Sequence, residues 1–170
     1  MVDMGVNFTG TYKIRLFGNV NDTIVFRFGE RVYDDGNVNP MTAVAGQIKK
    51  KGVGGPGAPD IAWQTDSYIM GNRNGQWFSP DFTYHTYRYM EIRGLKEKPK
   101  MEHVRGLFMH TNVAKENSFS CSSALLNSIQ EASERTFLSN LVSVQSDCPA
   151  REKFGYGGDL NATVESFIYN

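Results

Sequence analysis

The residues best equipped for chemistry lie together in one segment, Ser146 to Asp159, hereafter the candidate loop. This segment combines three carboxylates with two basic side chains, one proline and three glycines. The carboxylates are Asp147, Glu152 and Asp159. Because Pro149 and the paired glycines interrupt a regular helix, we expect a turn-rich connection that directs several acids toward one place.

Carboxyl groups held in different environments have different pKa values. An acid in an apolar pocket keeps its proton, whereas acids near Arg151 or Lys153 stay ionised and accept hydrogen bonds. This pairing suits cleavage of a glycosidic bond, which needs an acid at the leaving oxygen and carboxylates around the sugar. The residues alone also allow a simpler interpretation: Asp159 as a helix N-cap, Arg151 in a surface salt bridge with Glu152 or Asp147, and ordinary turns.

The candidate loop resembles the signature of bacterial α-L-rhamnosidases, glycoside hydrolase family 78. It reads SDCPAREKFGYGGD, and the family pattern is Asp-Cys-Pro-x-Arg, Glu, a basic and an apolar residue, Gly, an aromatic, any residue, Gly and Asp. Tyr156 stands where many members have Trp, and its flat face is still suited to stacking on a sugar. The resemblance implies that Glu152 is the general acid and that Asp147, Arg151 and Asp159 line the sugar subsite with Tyr156.

The resemblance also implies the reaction, which is hydrolysis of a terminal α-L-rhamnoside with inversion. One carboxylic acid protonates the leaving oxygen while a carboxylate about 6.5–9.5 Å away activates water across the ring. In this family the base is a Glu much later in the barrel, beyond Asn170, so the isolated chain is expected to be inactive. The expected partner is a rhamnose-containing oligosaccharide or glycoside, and no cofactor or metal is expected.

Residues 1–114 carry the signals of an antiparallel β-sandwich. Side chains alternate from Thr11 to Phe17 and again from Thr23 to Phe28, with turn residues between, which predicts a hairpin. Turn signals between short strands continue to about Asn112. The run FTYHTYRYMEI, which includes His85, resembles the last core strands of the family's β-sandwich, and His85 is expected to be packed or hydrogen-bonded. The stretch 45–62, rich in Gly and Pro, predicts a long loop.

Residues 115–170 have a helical character. Apolar residues recur at helical spacing from Ala124 to Leu141, with Ser122 or Ser123 as N-cap, and a second helix is predicted from Asp159. By resemblance these helices begin the catalytic (α/α) toroid. Because the apolar stripe of the second helix still runs at Asn170, we expect a fragment of a larger multidomain enzyme, with the remainder of the barrel missing.

Composition excludes several functions. The chain has 18 Lys plus Arg and 18 Asp plus Glu, so there is no electrostatic drive toward nucleic acid or an anionic membrane. No apolar run approaches the roughly 20 residues that span a bilayer, and the first residues do not form a signal peptide; the expected compartment is the bacterial cytoplasm or periplasm. Cys121 and Cys148 fit no metal motif and are expected as reduced, buried side chains.

Two alternatives to the enzyme remain at this stage. The first is a stand-alone carbohydrate-binding β-sandwich without catalysis, in which Trp63 or Trp77 supplies a flat surface for a sugar. The second is an inactive structural domain. Loss of sugar affinity on substitution of the tryptophans, but not of the acids, would favour the binding module.

Overall fold

The computed structural model describes residues 1–44, 63–115 and 117–170, so the predicted loop at 45–62 lies outside the described residues. The strands are β1 (Val2–Leu16), β2 (Thr23–Gly29), β3 (Arg31–Val32), β4 (Val38–Asn39), β5 (Thr65–Ile69), β6 (Gln76–Phe78), β7 (His85–Arg93), β8 (Val104–Phe108), β9 (Leu141–Val142) and β10 (Val144–Gln145). The helices are α1 (Ala124–Asn140) and α2 (Gly157–Tyr169), and short 3₁₀ turns cover Pro40–Ala43 and Met101–His103.

The main sheet is antiparallel and has six strands, in the order β5-β2-β7-β1-β6 with β8 also paired to β1. The predicted hairpin between β1 and β2 is wrong, because β7 lies between these two strands. Strand β7 is buried on both faces: its successive residues His85, Thr86 and Tyr87 are all buried. Successive strand residues point to opposite faces, so this strand is covered on both sides and takes a central place.

The apolar side chains that alternate along the first two strands form the core, as predicted. Tyr12, Ile14 and Leu16 of β1 are fully buried, and so are Ile24 and Phe26 of β2. The Tyr12 ring lies 4.9 Å from the Phe26 ring. Aromatic rings at this spacing add specific contacts to the apolar burial, so the core of the sheet is largely an aromatic cluster.

The two helices follow the sheet, which confirms the predicted fold class of an antiparallel β-structure followed by helices. Helix α1 begins after Ser123, whose side chain accepts a hydrogen bond from the Leu126 N–H at 3.4 Å. Helix α2 begins at Gly157, earlier than predicted, with Tyr156 at the N-cap. Asp159 is therefore in the first turn, where its charge still favours the helix dipole, and its expected role as N-cap is wrong.

Both helices leave apolar side chains exposed. On α1 these include Leu125 and Ile129, and on α2 Leu160 and Ile168. The helices contact each other through the rings of Phe137 and Phe167, 4.4 Å apart. Neither helix in the described part of the chain has the length and apolar character that crossing a membrane requires.

Candidate active site

The candidate loop is a compact turn that Asp147 closes. The Asp147 N–H donates to the Phe154 carbonyl at 2.9 Å, and the Phe154 N–H donates to Asp147 Oδ1 at 3.1 Å. Inside this pair the Lys153 N–H donates to the Cys148 carbonyl at 3.1 Å. The outer pair of hydrogen bonds and the inner one therefore together fix the segment between Asp147 and Phe154, which contains Glu152.

The thiol of Cys148 links two of the predicted site residues. Its Sγ donates to Asp147 Oδ2 at 2.9 Å and accepts the Glu152 N–H at 3.2 Å. Both cysteines are free thiols, as expected, and both are only partly buried. Cys148 is thus a hydrogen-bonding member of the loop rather than a small apolar side chain alone.

Asp147 is held in its ionised form. Burial raises the pKa of its carboxyl, but hydrogen bonds from the Cys148 thiol and from the backbone, including the Phe154 N–H, outweigh burial and lower the pKa below the ordinary value. Hydrogen bonds to a carboxylate favour the charged form in this way. Asp147 is therefore suited to accept hydrogen bonds and not to donate a proton.

Glu152 is half-buried, and Tyr156 fixes its side chain. The Tyr156 hydroxyl donates to Glu152 Oε2 at 3.1 Å, and this bond is the largest cause of the raised pKa of Tyr156. The charges of Glu152 and Asp147 contribute further to that raised pKa. Among the described contacts, Oε1 of Glu152 has no hydrogen-bond partner, which leaves one carboxyl oxygen for a ligand.

The other two predicted site residues are not joined to this group. Arg151 Nε donates to the Thr42 carbonyl at 3.0 Å, in the 3₁₀ turn after β4. Asp159 is exposed on α2, and its side chain makes no hydrogen bond within the described ranges. The structure thus brings together Asp147, Glu152 and Tyr156. No salt bridge within the described residues joins Arg151 to an acid of the candidate loop, so the surface salt bridge of the simpler interpretation is not observed.

Sequence reasoning missed the role of Lys153, whose side chain leaves the loop and contacts the residue that precedes β7. Its Nζ donates to the Tyr84 carbonyl at 2.7 Å and lies 4.2 Å from the centre of the Tyr84 ring. Burial lowers the pKa of Lys153 to about 8. No periodic pattern marks a single half-buried lysine in a loop, so the sequence offered no signal beyond its place beside Glu152.

Two sequence models of known families match the chain. Residues 1–110 match the bacterial alpha-L-rhamnosidase concanavalin-like domain, and residues 114–170 match the bacterial alpha-L-rhamnosidase 6 hairpin glycosidase domain. The chain belongs to the bacterial α-L-rhamnosidase family. The family predicted from the candidate loop is therefore confirmed.

Relatives of the family agree in sequence and in fold. An alpha-L-rhamnosidase of Formosa agariphila is 30% identical over 100% of this chain, which covers 17% of that protein. The structure of the alpha-L-rhamnosidase from Dictyoglumus thermophilum superposes with a TM-score of 0.82 at 33% identity, over 99% of this chain and 17% of that one. The Streptomyces avermitilis alpha-L-rhamnosidase complexed with L-rhamnose has a TM-score of 0.78 at 27% identity, over 95% of this chain and 14% of that one. The chain thus spans about a sixth of the length of these relatives.

Proposed function

We propose that this chain supplies the general acid and part of the sugar subsite of an inverting α-L-rhamnosidase. One observation carries the proposal: Tyr156 holds one oxygen of Glu152 at 3.1 Å, and the other oxygen has no partner among the described residues. A general acid needs this arrangement, because its orientation must be fixed while the proton-bearing oxygen remains within reach of the substrate.

In the proposed reaction Glu152 gives its proton to the glycosidic oxygen as the bond from that oxygen to the sugar breaks. A water oxygen bonds to the same sugar carbon from the opposite face, and a second carboxylate takes a proton from that water. Asp147 is poorly suited to be this base, because hydrogen bonds within the loop lower the pKa of its carboxyl and so make it a weaker base. Following the resemblance to the family, we place the base outside these 170 residues.

The proposed substrate is a terminal α-L-rhamnoside in an oligosaccharide or glycoside. Support comes from the family and from the Streptomyces relative, whose structure contains L-rhamnose. We propose that ionised Asp147 accepts hydrogen bonds from sugar hydroxyls and that the exposed ring of Tyr156 stacks on the sugar. Arg151 and Asp159 remain proposed subsite residues, and the division into units 1–114 and 115–170 remains a proposal as well.

The test is Glu152→Gln in the product of the complete reading frame that encodes this chain. Loss of a general acid lowers the rate by about 10²–10⁴-fold, but only where the leaving group needs a proton. We expect a loss of this size for an alkyl α-L-rhamnoside, and less than about tenfold for a dinitrophenyl α-L-rhamnoside, whose leaving group departs readily as an anion.

Glu131→Gln is the matched control, since Glu131 is exposed on α1 and pairs with Arg135 at 2.7 Å. It should leave both rates unchanged. Equal losses for the two leaving groups in Glu152→Gln would show that Glu152 is not the acid.

The competing proposal of a carbohydrate-binding module without catalysis is less well supported. The Trp77 ring, which it would use as a sugar platform, already has Lys13 Nζ at 5.6 Å and the Arg105 guanidinium at 5.3 Å from its centre. Cation–π contacts at such distances compete with a sugar for this ring.

A further inference from the structure

Lys153 joins the candidate loop to the sheet. Its Nζ donates to the carbonyl of Tyr84 at 2.7 Å, directly before β7 begins at His85, and it also lies over the Tyr84 ring. The loop and β7 are 69 residues apart in sequence at this contact. One side chain thus ties the segment that contains Glu152 to the central strand of the sheet.

His85, the residue after Tyr84, is hydrogen-bonded to the carboxylate of Asp66, which is itself held in position. Asp66 accepts hydrogen bonds from His85 Nε2 at 2.9 Å and from the Tyr12 hydroxyl at 3.2 Å. The His85 ring stacks on Phe28 at 4.1 Å, and only 15% of the Asp66 side chain is exposed. We call Tyr84, Asp66 and His85 the anchor site.

The negative charge of Asp66 offsets part of the decrease in pKa that burial causes at Lys153. Burial is the main influence and lowers the pKa of Lys153, and the Asp66 carboxylate acts in the opposite direction. A carboxylate in the neighbourhood favours the charged form of a partly buried lysine. The hydrogen bond to the Tyr84 carbonyl and the contact with the Tyr84 ring give the ammonium a defined position.

The backbone at Lys153 shows why this position matters for Glu152. Its φ is 59°, the left-handed conformation that residues with a side chain seldom adopt. The chain turns there, so that Glu152 contacts Tyr156 while the next side chain reaches Tyr84. Such a conformation persists only where surrounding contacts hold it, and the anchored ammonium is one of those contacts.

We propose that Lys153 is a positioning residue, which holds the Glu152 carboxyl in place by fastening the candidate loop to the anchor site. The inference rests on the proposed function only for the role of Glu152; the fastening itself is a property of this chain. Lys153 would thus act on Glu152 through the backbone of the loop, because its side chain contacts neither the Glu152 carboxyl nor the Tyr156 hydroxyl.

The first experiment measures the fastening without any catalysis. In a Cys121→Ser background, the Cys148 thiol is the single site for a maleimide, and its contacts to Asp147 and the Glu152 N–H slow its reaction. Lys153→Met keeps the length of the side chain and removes the charge. It should accelerate labelling at least about tenfold, because the loop opens more often.

The matched control is Lys98→Met, a substitution of an exposed lysine, and it should leave the labelling rate unchanged. Asp66→Asn should accelerate labelling less than Lys153→Met, since the Tyr84 carbonyl still receives the ammonium, and it gives a second measurement should Lys153→Met fail to fold. Labelling of Lys153→Met at the rate of Lys98→Met would overturn the proposal.

The second experiment uses the product of the complete reading frame. Lys153→Met should lower kcat for an alkyl α-L-rhamnoside about 10- to 100-fold with KM within about threefold, as expected of a displaced catalytic group. Removing one partner of such a contact also costs stability, so both proteins are assayed well below the melting temperature of Lys153→Met, at a temperature where circular dichroism shows each to be folded. A loss of kcat that disappears under these conditions would show a merely structural role. If Glu152→Gln leaves the rate unchanged, the proposed function fails. The labelling rates of Cys148 still test whether Lys153 fastens the loop.

Discussion

Substitution of Asp147 by Ala tests whether this carboxylate closes the candidate loop. The change removes one hydrogen bond from the Phe154 N–H at 3.1 Å and one from the Cys148 thiol at 2.9 Å. Hydrogen bonds to a charged group contribute roughly 1.5–3 kcal/mol each. The thiol is a weak donor and the site is only partly buried, so we expect a total loss of about 2 kcal/mol.

A loss of this size lowers the melting temperature by about 4–8 °C in a chain of this length. The assay is thermal unfolding of the 170-residue chain, followed by circular dichroism at pH 7. Asp159→Ala is the matched control, because its side chain makes no hydrogen bond within the described residues and only its charge in the first turn of α2 is lost. That interaction is worth about 0.5 kcal/mol.

The pH dependence supplies a second, independent outcome for the same pair of proteins. The pKa of Asp147 is lower in the folded chain than its ordinary value of 3.8, so the unfolded state binds more protons as the solution is acidified. The stabilisation is complete above the ordinary pKa and is lost as the pH falls through the folded value. The difference in melting temperature between wild type and Asp147→Ala should therefore be constant near neutrality and shrink at acidic pH. A difference under about 1 °C at neutral pH, or one that persists unchanged in strong acid, would refute the role of Asp147.

Two further predictions concern the sheet, and urea denaturation measures both. Ile24→Ala, at a fully buried position, should lower the free energy of unfolding by about 2–5 kcal/mol, whereas Ile69→Ala, where the side chain is 64% exposed, should change it by less than about 0.5 kcal/mol; similar values would contradict the assigned core. Gly94→Ala and Gly36→Ala both place a side chain at positive φ, 87° and 83°, but only at Gly94 would the new Cβ lie 2.1 Å from a backbone oxygen of β2. Gly94→Ala should therefore be the more destabilising by well over 1 kcal/mol, and the reverse order would show that the turn after β7 does not approach β2 so closely.

Local patterns predicted the elements of this chain well. The alternation of β2 and of the second half of β1, and the helical spacing and serine cap of α1, depend on neighbours within a few residues, so the sequence contains the necessary information. The start of β1 was missed because its alternation is interrupted: Gly5 has a φ of 84°, and the register against β7 shifts between Asp3 and Phe8.

The order of the strands and the directions of loop side chains could not be predicted in the same way. Pairing of β7 between β1 and β2 depends on contacts that are distant in sequence, for which no local rule exists. The candidate loop, too, could be predicted only in part. Its acids and its turn-rich character were evident from composition. The contacts of Arg151 with Thr42 and of Lys153 with Tyr84 depend on how the loop lies on the sheet.

Strand β1 also has a consequence for how the chain is made. It occupies Val2–Leu16, yet its partners β6, β7 and β8 lie between residues 76 and 108. At a synthesis rate of about 5–20 residues per second, the ribosome needs several seconds more after β1 has been made before its partners exist. During that interval the apolar side chains of this strand have no partner strand to cover them, which leaves the strand available for transient contact with chaperones.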